Sequence, residues 1–417
     1  MRIVNIRAQP PAYDLYWNDP RPRINWDISD GSWVGIWEYG WADLIGRQVL
    51  RYSDGFEYEV WQPDLRADKV YSYTFSGGLV HKAFPATLRR KKYGFKNIDF
   101  VSAKAIYDRL LSMRRDGEML VHLNGINLGI GRDVLSLELG CPVVLEFLGE
   151  VKSPVHTFFQ LKKNILSKIH DVSDYFALKY LFNKADAICC CNERSRQNLR
   201  RYFDKEISVV PVGLDCDYWQ PRGDKALIRE QIGLDHRPVL LTSSRLNGLK
   251  QIDKVIRVLR NLDSAYDFQY VVTGHGTEEY ENYLRYVGES LMKKGKLKFV
   301  GYLRDEDLKM YYRAADLFII TSLSEGAPDA AKKALAMELP VFSTDTGYVA
   351  ELLAKYGAGK VVPLRDYERW EQELRYFLEG RMIETMDIDL VRSYFHWPNV
   401  AKQYIDVYNR LFERYYG

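Results

Sequence analysis

The run PVLLTSSRLNGLKQIDKVIRVLRNL, residues 238–262, sets the reading of the fold. Its first seven residues, 238–244, are short and mostly apolar, as in a strand buried on both faces. Residues 251–262 carry Ile252, Val255, Ile256, Leu259 and Leu262 at helical spacing. Between them lie two cations, Arg245 and Lys250. A strand, a basic loop and a helix make one half of a βαβ unit. Two cations at such a junction can grip a diphosphate through charge-assisted hydrogen bonds, each worth about 1.5–3 kcal/mol. The plain alternative is an exposed basic loop.

Moving outward, the same alternation recurs. Apolar strand candidates stand at 268–274, 297–301, 316–322, 340–344 and 359–364, and helix candidates at 278–294, 306–315 and 330–337. This predicts a doubly wound α/β domain with a parallel sheet. The first half is less regular, with strands expected at 2–8, 56–63, 69–75, 119–125, 142–149 and 185–192. ISVVPVGLDCDYWQPRG (207–223) is punctuated by Pro and Gly and reads as an interdomain hinge. The expected organisation is a domain over 1–206, joined by an amphipathic terminal helix over 398–417, and a second domain over 207–397. Two such α/β domains facing each other would leave a cleft at the carboxyl ends of both sheets.

Composition narrows the function classes. With 47% hydrophobic and 28% charged residues, the chain has material for real cores. A net charge of +3 over 417 residues is too mild to argue nucleic acid. Arg89, Arg90, Lys91 and Lys92 form the clearest basic run. It reads as a solvated face, or as an attraction to anionic lipid headgroups at about 1 kcal/mol per charge. The five cysteines (Cys141, Cys189, Cys190, Cys191 and Cys216) include no CxxC pair. Cys189, Cys190 and Cys191 read as buried strand residues with free thiols, and an odd count with no framework fits a reducing compartment. No apolar stretch approaches 18 residues, and MRIVNIRAQ lacks a signal-peptide layout. The expected location is cytoplasmic, with peripheral contact at the inner face of the membrane as an option. Asp pairs at 215/217, 305/307 and 387/389 read as chance among 56 acids, and the seven histidines show no ligand spacing, so no metal site is expected.

At residues 321–341, TSLSEGAPDAAKKALAMELPV, Glu325 and Gly326 stand between an apolar run and a helix-like one. A carboxylate and a glycine before a helix N-terminus can hold a sugar and a phosphate. Several stretches now line up. They are ADAICCCNERSRQNLRRYF (185–203) leading to the 207–223 turn, TSSRLNGLKQIDKVIRVL (242–259), VVTGHG (271–276), SEGAPDAAKKALAMELPVFSTDTGYVAELL (324–353) and YFHWPNVAKQYIDVY (394–408). Together, in this order and spacing, they resemble the retaining family 4 type of GT-B glycosyltransferases, the glycosyl transferases group 1, over most of 185–400.

The resemblance implies two Rossmann-like domains, an acceptor side in the first and a nucleotide-sugar side in the second. It implies that Arg245 and Lys250 bind the donor diphosphate and stabilise it as a leaving group, without a metal. Glu325 would contact the transferred sugar, with Gly326, Ala327 and Lys333 also on the donor side. Gly274 and Gly276, in a turn after a strand, would sit beside the nucleotide base; a plain turn is the alternative. The expected co-substrate is a UDP- or GDP-linked sugar, with no further cofactor, and the acceptor a glycan, a lipid-linked sugar or a small molecule. On the acceptor side, DGSWVGIWEYGWADLIGRQVL (30–50) reads as a glycine-bearing loop with Gly31, Gly35 and Gly40 before a helix. Trp33, Trp37 and Trp41 would either pack in the core or line an acceptor platform.

The chain departs from the family pattern at two places. PVVLEFLGE (142–150) has Leu148 where the family usually has histidine, with Gly149 and Glu150 beside it. Glu150 is a candidate polar substitute, an ordinary exposed acid the plain alternative. Lys333 stands where the family's second glutamate binds ribose. Losing that bond costs roughly 1.5–3 kcal/mol, against about 8 kcal/mol for a micromolar donor. The site is then weakened rather than abolished. Three readings remain open at this point: a retaining sugar transferase, a non-catalytic GT-B protein that binds a glycan or partner, and another enzyme of the fold such as an epimerase or phosphorylase.

Overall fold

The computed structural model describes residues 1–11, 23–29, 32–37, 40–93, 96–114, 117–125, 129–148, 179–201, 203–323, 325, 327–381 and 386–417. The chain divides into two compact units, Met1–Val210 with Pro398–Gly417, and Pro211–Trp397.

The second unit is built on a six-stranded sheet. In spatial order its strands are Leu297–Gly301, Gln269–Thr273, Val239–Ser243, Leu317–Ile320, Val341–Ser343 and Gly359–Val361. Every pairing is parallel. Successive side chains on a strand point to opposite faces, and both faces are covered here. Leu240, Tyr270, Leu317, Ile319 and Phe342 pack with Ile256, Leu259, Leu284 and Trp370 on one face. Leu241, Val271, Phe318, Ile320 and Val341 pack with Ala331, Leu335, Val349 and Leu352 on the other. That is why these strands read as continuous apolar runs rather than alternating ones. Chain order reverses between Val239–Ser243 and Leu317–Ile320, the first strand of the sheet and the fourth in sequence. Such a switch point opens a crevice at the carboxyl ends of the two strands.

The first unit holds an eight-stranded sheet. Its order is Glu206–Val209, Ala187–Cys190, Val143–Phe147, Met119–Asn124, Arg2–Arg7, Glu57–Asp64, Val80–Pro85 and Tyr71–Thr74. All pairs are parallel except the last, which is antiparallel. Two antiparallel hairpins stand outside it, Arg23–Asp27 with Trp33–Trp37 and Thr87–Tyr93 with Lys96–Ser102. The expected glycine loop is corrected here. Gly35 lies inside the strand Trp33–Trp37, opposite Asn25, and its carbonyl accepts from Gln62 Nε2 at 3.1 Å. The alternation Trp33, Gly35, Trp37 is a strand period, so the segment forms a ribbon before the helix Trp41–Tyr52.

The terminal helix Trp397–Tyr416 is fastened to this sheet by buried polar contacts. Tyr404 donates to Glu146 Oε2 at 3.0 Å, and the Tyr408 hydroxyl lies 2.7 Å from His122 Nδ1. Asn5 Nδ2 donates to Tyr58 Oη at 2.8 Å in the same cluster. All five cysteines are buried as free thiols. Burial pushes Cys190 and Cys191 up to about 12 and Cys216 to about 11, so they are inert packing groups. No helix among the described residues is long and apolar enough to cross a membrane.

Candidate functional site

At the switch point of the second unit lies a cavity of about 290 Å3. Thr242, Ser243 and Ser244 line it from the end of one strand, and Thr321, Ser322 and Glu325 from the segment after another. The helix Asp329–Ala336 supplies the third wall with Asp329, Ala330 and Lys333. It starts at Pro328 with no side chain capping its first N–H groups. An uncapped helix N-terminus carries donors and positive potential toward an anion.

The cavity's ionic centre is an ion pair between Lys250 Nζ and Glu325 Oε1. Each side chain is mostly buried, and Ser322 Oγ donates to the same Glu325 oxygen at 2.6 Å. A chain of bonds holds these groups in place. Thr321 Oγ1 donates to the Lys250 carbonyl at 2.8 Å, Leu323 N to the Leu249 carbonyl at 2.8 Å, and Thr344 Oγ1 to the Ser322 carbonyl at 2.7 Å. The two loops that carry the pair are therefore bonded to one another. Gln251, next to Lys250, has φ 49°. This left-handed residue turns a single 3-10 turn, Gly248–Lys250, directly into the helix Ile252–Leu262.

Lys333 points into a second charged corner. Its ammonium is 3.1 Å from Asp329 Oδ2 and 3.0 Å from Asp305 Oδ1, and lies 4.4 Å over the buried Trp219 ring. Although burial opposes its charge, Asp329 and then Asp305 hold the Lys333 pKa above the ordinary lysine value. Lys332 leaves the same helix for the core and is only 3% exposed. It meets Asp329 Oδ1 at 2.8 Å and donates to the carbonyls of Gly213 at 2.8 Å and Val212 at 3.4 Å. Burial lowers the Lys332 pKa, with Asp329 opposing. Three oxygen acceptors are nonetheless what an ammonium's three donors require.

The sequence-derived residues separate into groups. Lys250, Glu325, Ala327 and Lys333 meet around one cavity. Arg245 does not line it; the residue is exposed, and among the described residues its guanidinium makes no ion pair. Gly274 and Gly276 also lie off the lining. A Cβ on Gly274, at φ +119°, would stand 1.8 Å from the Ser244 carbonyl oxygen, and one on Gly276 would stand 1.7 Å from that of Leu246. Both positions need glycine because the 244–246 backbone passes against them, with Leu246 N donating to His275 O at 2.8 Å. Gly326, Gly149 and Glu150 lie outside the described residues. Ser322, Asp305 and Trp219 were not singled out from the sequence for a site role. Ser322 is three residues before Glu325, a weak local cue, whereas Asp305 and Trp219 reach Lys333 only through the tertiary fold. Among the described residues no three His, Cys, Asp or Glu side chains converge as a metal site.

Residues 224–388 match the family Glycosyl transferases group 1. Mannosylfructose-phosphate synthase of Agrobacterium fabrum is 29% identical over 213 residues, 48% of this chain and 46% of that protein. The chain spans about half the length of the curated relatives it matches. Solved structures extend the likeness over nearly all of it. Sucrose-phosphate synthase from Thermosynechococcus elongatus aligns with a TM-score of 0.67 at 15% identity, over 99% of this chain and 100% of that one. HepE of Anabaena, solved in complex with UDP, aligns with a TM-score of 0.66 at 14% identity, over 98% and 100%. Residues 224–388 thus match the glycosyl transferases group 1 family, on a chain with the GT-B fold.

Proposed function

We propose that the protein transfers a sugar from a UDP- or GDP-linked donor to a hydroxyl of a glycan, lipid-linked or small-molecule acceptor. The observation that carries this is the cavity at the switch point, where Lys250, Glu325 and an uncapped helix N-terminus converge. A cation beside a helix start with no side-chain cap suits a diphosphate, and a carboxylate suits sugar hydroxyls. The family match over 224–388, and the UDP bound by the structural neighbour HepE, support the same donor class.

In the proposed reaction the acceptor oxygen bonds to the anomeric carbon as the bond from that carbon to the diphosphate oxygen breaks. The acceptor's proton passes to the departing diphosphate, and the new bond forms on the face the diphosphate leaves, which retains the anomeric configuration. No separate base is needed, so the Leu148 departure is tolerable. Lys250 would stabilise the leaving charge, with Arg245, on the same loop but off the cavity lining, as the second cation that the resemblance implies, and on this account no metal is required. Lys250 must release Glu325 as it takes up phosphate, which frees the carboxylate for the sugar. Location at the inner face of a membrane is part of the same proposal only if the acceptor is lipid-linked.

The test is turnover. Release of UDP from UDP-glucose, or of GDP from GDP-mannose, should be unaffected by EDTA and should fall at least a hundredfold in Glu325→Ala. Unchanged turnover in that variant, or loss of turnover in EDTA, would overturn the assignment. Proton NMR of the product decides retention.

A further inference from the structure

We propose that Asp329, set by Lys332 and Lys333, is the hydrogen-bond acceptor for a hydroxyl pair of the donor. Lys333 is then a positioning residue and not a phosphate ligand. This rests on the nucleotide-sugar assignment of the cavity.

A lysine in the wall of an anion site is ordinarily taken for a phosphate ligand. Lys333 is unsuited to that. Two carboxylates and the Trp219 ring already surround its ammonium, which has three donors, and its side chain is 13% exposed. The four charges of the corner, Asp305, Asp329, Lys332 and Lys333, sum to zero, so it offers a phosphate no net attraction.

Asp329 is the opposite case. Lys332 takes one of its oxygens and Lys333 the other, yet a carboxylate offers about four lone-pair sites. About two therefore remain open, on a side chain that is 58% exposed and lines the cavity. Partial desolvation of the carboxyl works against ionisation, but Lys332 and then Lys333 hold its pKa well below the usual carboxylate range. An ionised carboxylate with open lone pairs repels phosphate and accepts hydroxyls. The bound donor must then run from its diphosphate, at Lys250, to a hydroxyl-bearing part at Asp329. The two ammonium groups fix both carboxylate oxygens in direction, which sharpens the choice of hydroxyl pair. A nucleotide sugar has two sources of such a pair, the ribose and the transferred sugar.

The experiment is calorimetric titration of the full chain with UDP, GDP and ADP, with the 2′,3′-dideoxy forms of whichever binds, and with its sugar-linked form. With a ribose contact, the wild type should bind the ribose form at least tenfold more tightly than the dideoxy form. Asp329→Ala should bring the two within about twofold. With a contact to the transferred sugar, Asp329→Ala should weaken the sugar-linked form at least tenfold and leave the free diphosphate unchanged. Lys333→Met should shrink the same preference while Asp329 is intact, and should add nothing to Asp329→Ala. Asp329→Asn, which keeps the shape, replaces Asp329→Ala if the latter melts early. Equal weakening, or tightening, of all forms by loss of the carboxylate overturns the proposal. Loss of the preference in Asp329→Ala but none in Lys333→Met overturns the positioning role. Wild-type protein that binds no nucleoside diphosphate overturns the donor assignment itself, and this proposal with it.

Discussion

Ser322 and Gly274 each test how the cavity is held. Ser322 Oγ gives its hydrogen bond to the Glu325 oxygen that also faces Lys250. A hydrogen bond to a charged group is worth about 1.5–3 kcal/mol, and Ser322 keeps hold of the carboxylate once Lys250 has moved to the phosphate. Ser322→Ala is therefore expected to lower kcat/KM about tenfold, with the melting temperature nearly unchanged; full activity would mean that Ser322 does not orient the carboxylate in turnover. Gly274→Ala acts through the backbone. Its Cβ would overlap the Ser244 carbonyl at a φ that side chains rarely adopt. The expected loss is about 3 kcal/mol or more of stability, read by denaturant unfolding, together with weaker nucleotide binding because Ser244 lines the cavity. At this scale the sequence was legible where a residue acts near its own neighbours. Lys250 after a strand and Glu325 before a helix were visible, and the 329/333 pair follows from helical spacing. Asp305 and Trp219 were not, because 28 and 114 residues separate them from Lys333 in the chain. A local pattern also misled at Gly35, where glycine spacing suggested a loop and the alternating tryptophans were a strand.

Among the elements, the strands and helices of the second unit were the most legible, because both sheet faces are covered and the inner strands VLLTS, QYVVT, LFII and VFS are largely apolar runs. The first unit's Val80–Pro85 and the paired strands Thr87–Tyr93 and Lys96–Ser102 were missed. Their sequences, VHKAFP and TLRRKKY, mix charge with apolar residues, and the basic run disguised a strand. The terminal helix was readable as amphipathic, but what it binds was not. Arg410 and Arg414 pair with Glu206 at 2.7 and 3.1 Å. Burial pushes Glu206 up, but the bonds and charge of Arg410 and then Arg414 outweigh it and leave its pKa below the usual glutamate value. A depressed folded pKa contributes stability above the unfolded value, about 4.3, and that contribution is lost as pH falls through the folded one. Protection factors in 397–416, referenced to the intrinsic exchange rate at each pH, should therefore fall as pH drops below about 4.3, and Glu206→Gln should flatten that fall. Tyr408→Phe leaves the buried His122 Nδ1 with only the 3.4 Å contact to Asn5 Nδ2 and should cost about 1–3 kcal/mol, read by denaturant unfolding.

Across the whole molecule, alternation of strand and helix gave the fold class, and the order of motifs gave the resemblance, whereas the assembly of the cavity wall came only from the structure. Thr242, Ser244 and Lys250, then Leu308 and Tyr312, then Ile319, Ser322, Glu325 and Lys333 converge from three separate parts of the second unit. A nucleoside diphosphate should therefore slow hydrogen exchange in all three segments at once. Protection confined to one of them would contradict a shared site. The central claim is that Lys250 and Glu325 form a donor site that binds a nucleoside diphosphate through charge and not through a metal. Its most direct measurement is calorimetric titration of UDP, GDP and ADP, in EDTA, into the wild type and into Lys250→Ala. The account predicts binding of one of the three to the wild type, at least tenfold weaker binding to the variant, and no effect of EDTA. Equal affinity in the two proteins, or binding abolished by EDTA, would contradict it.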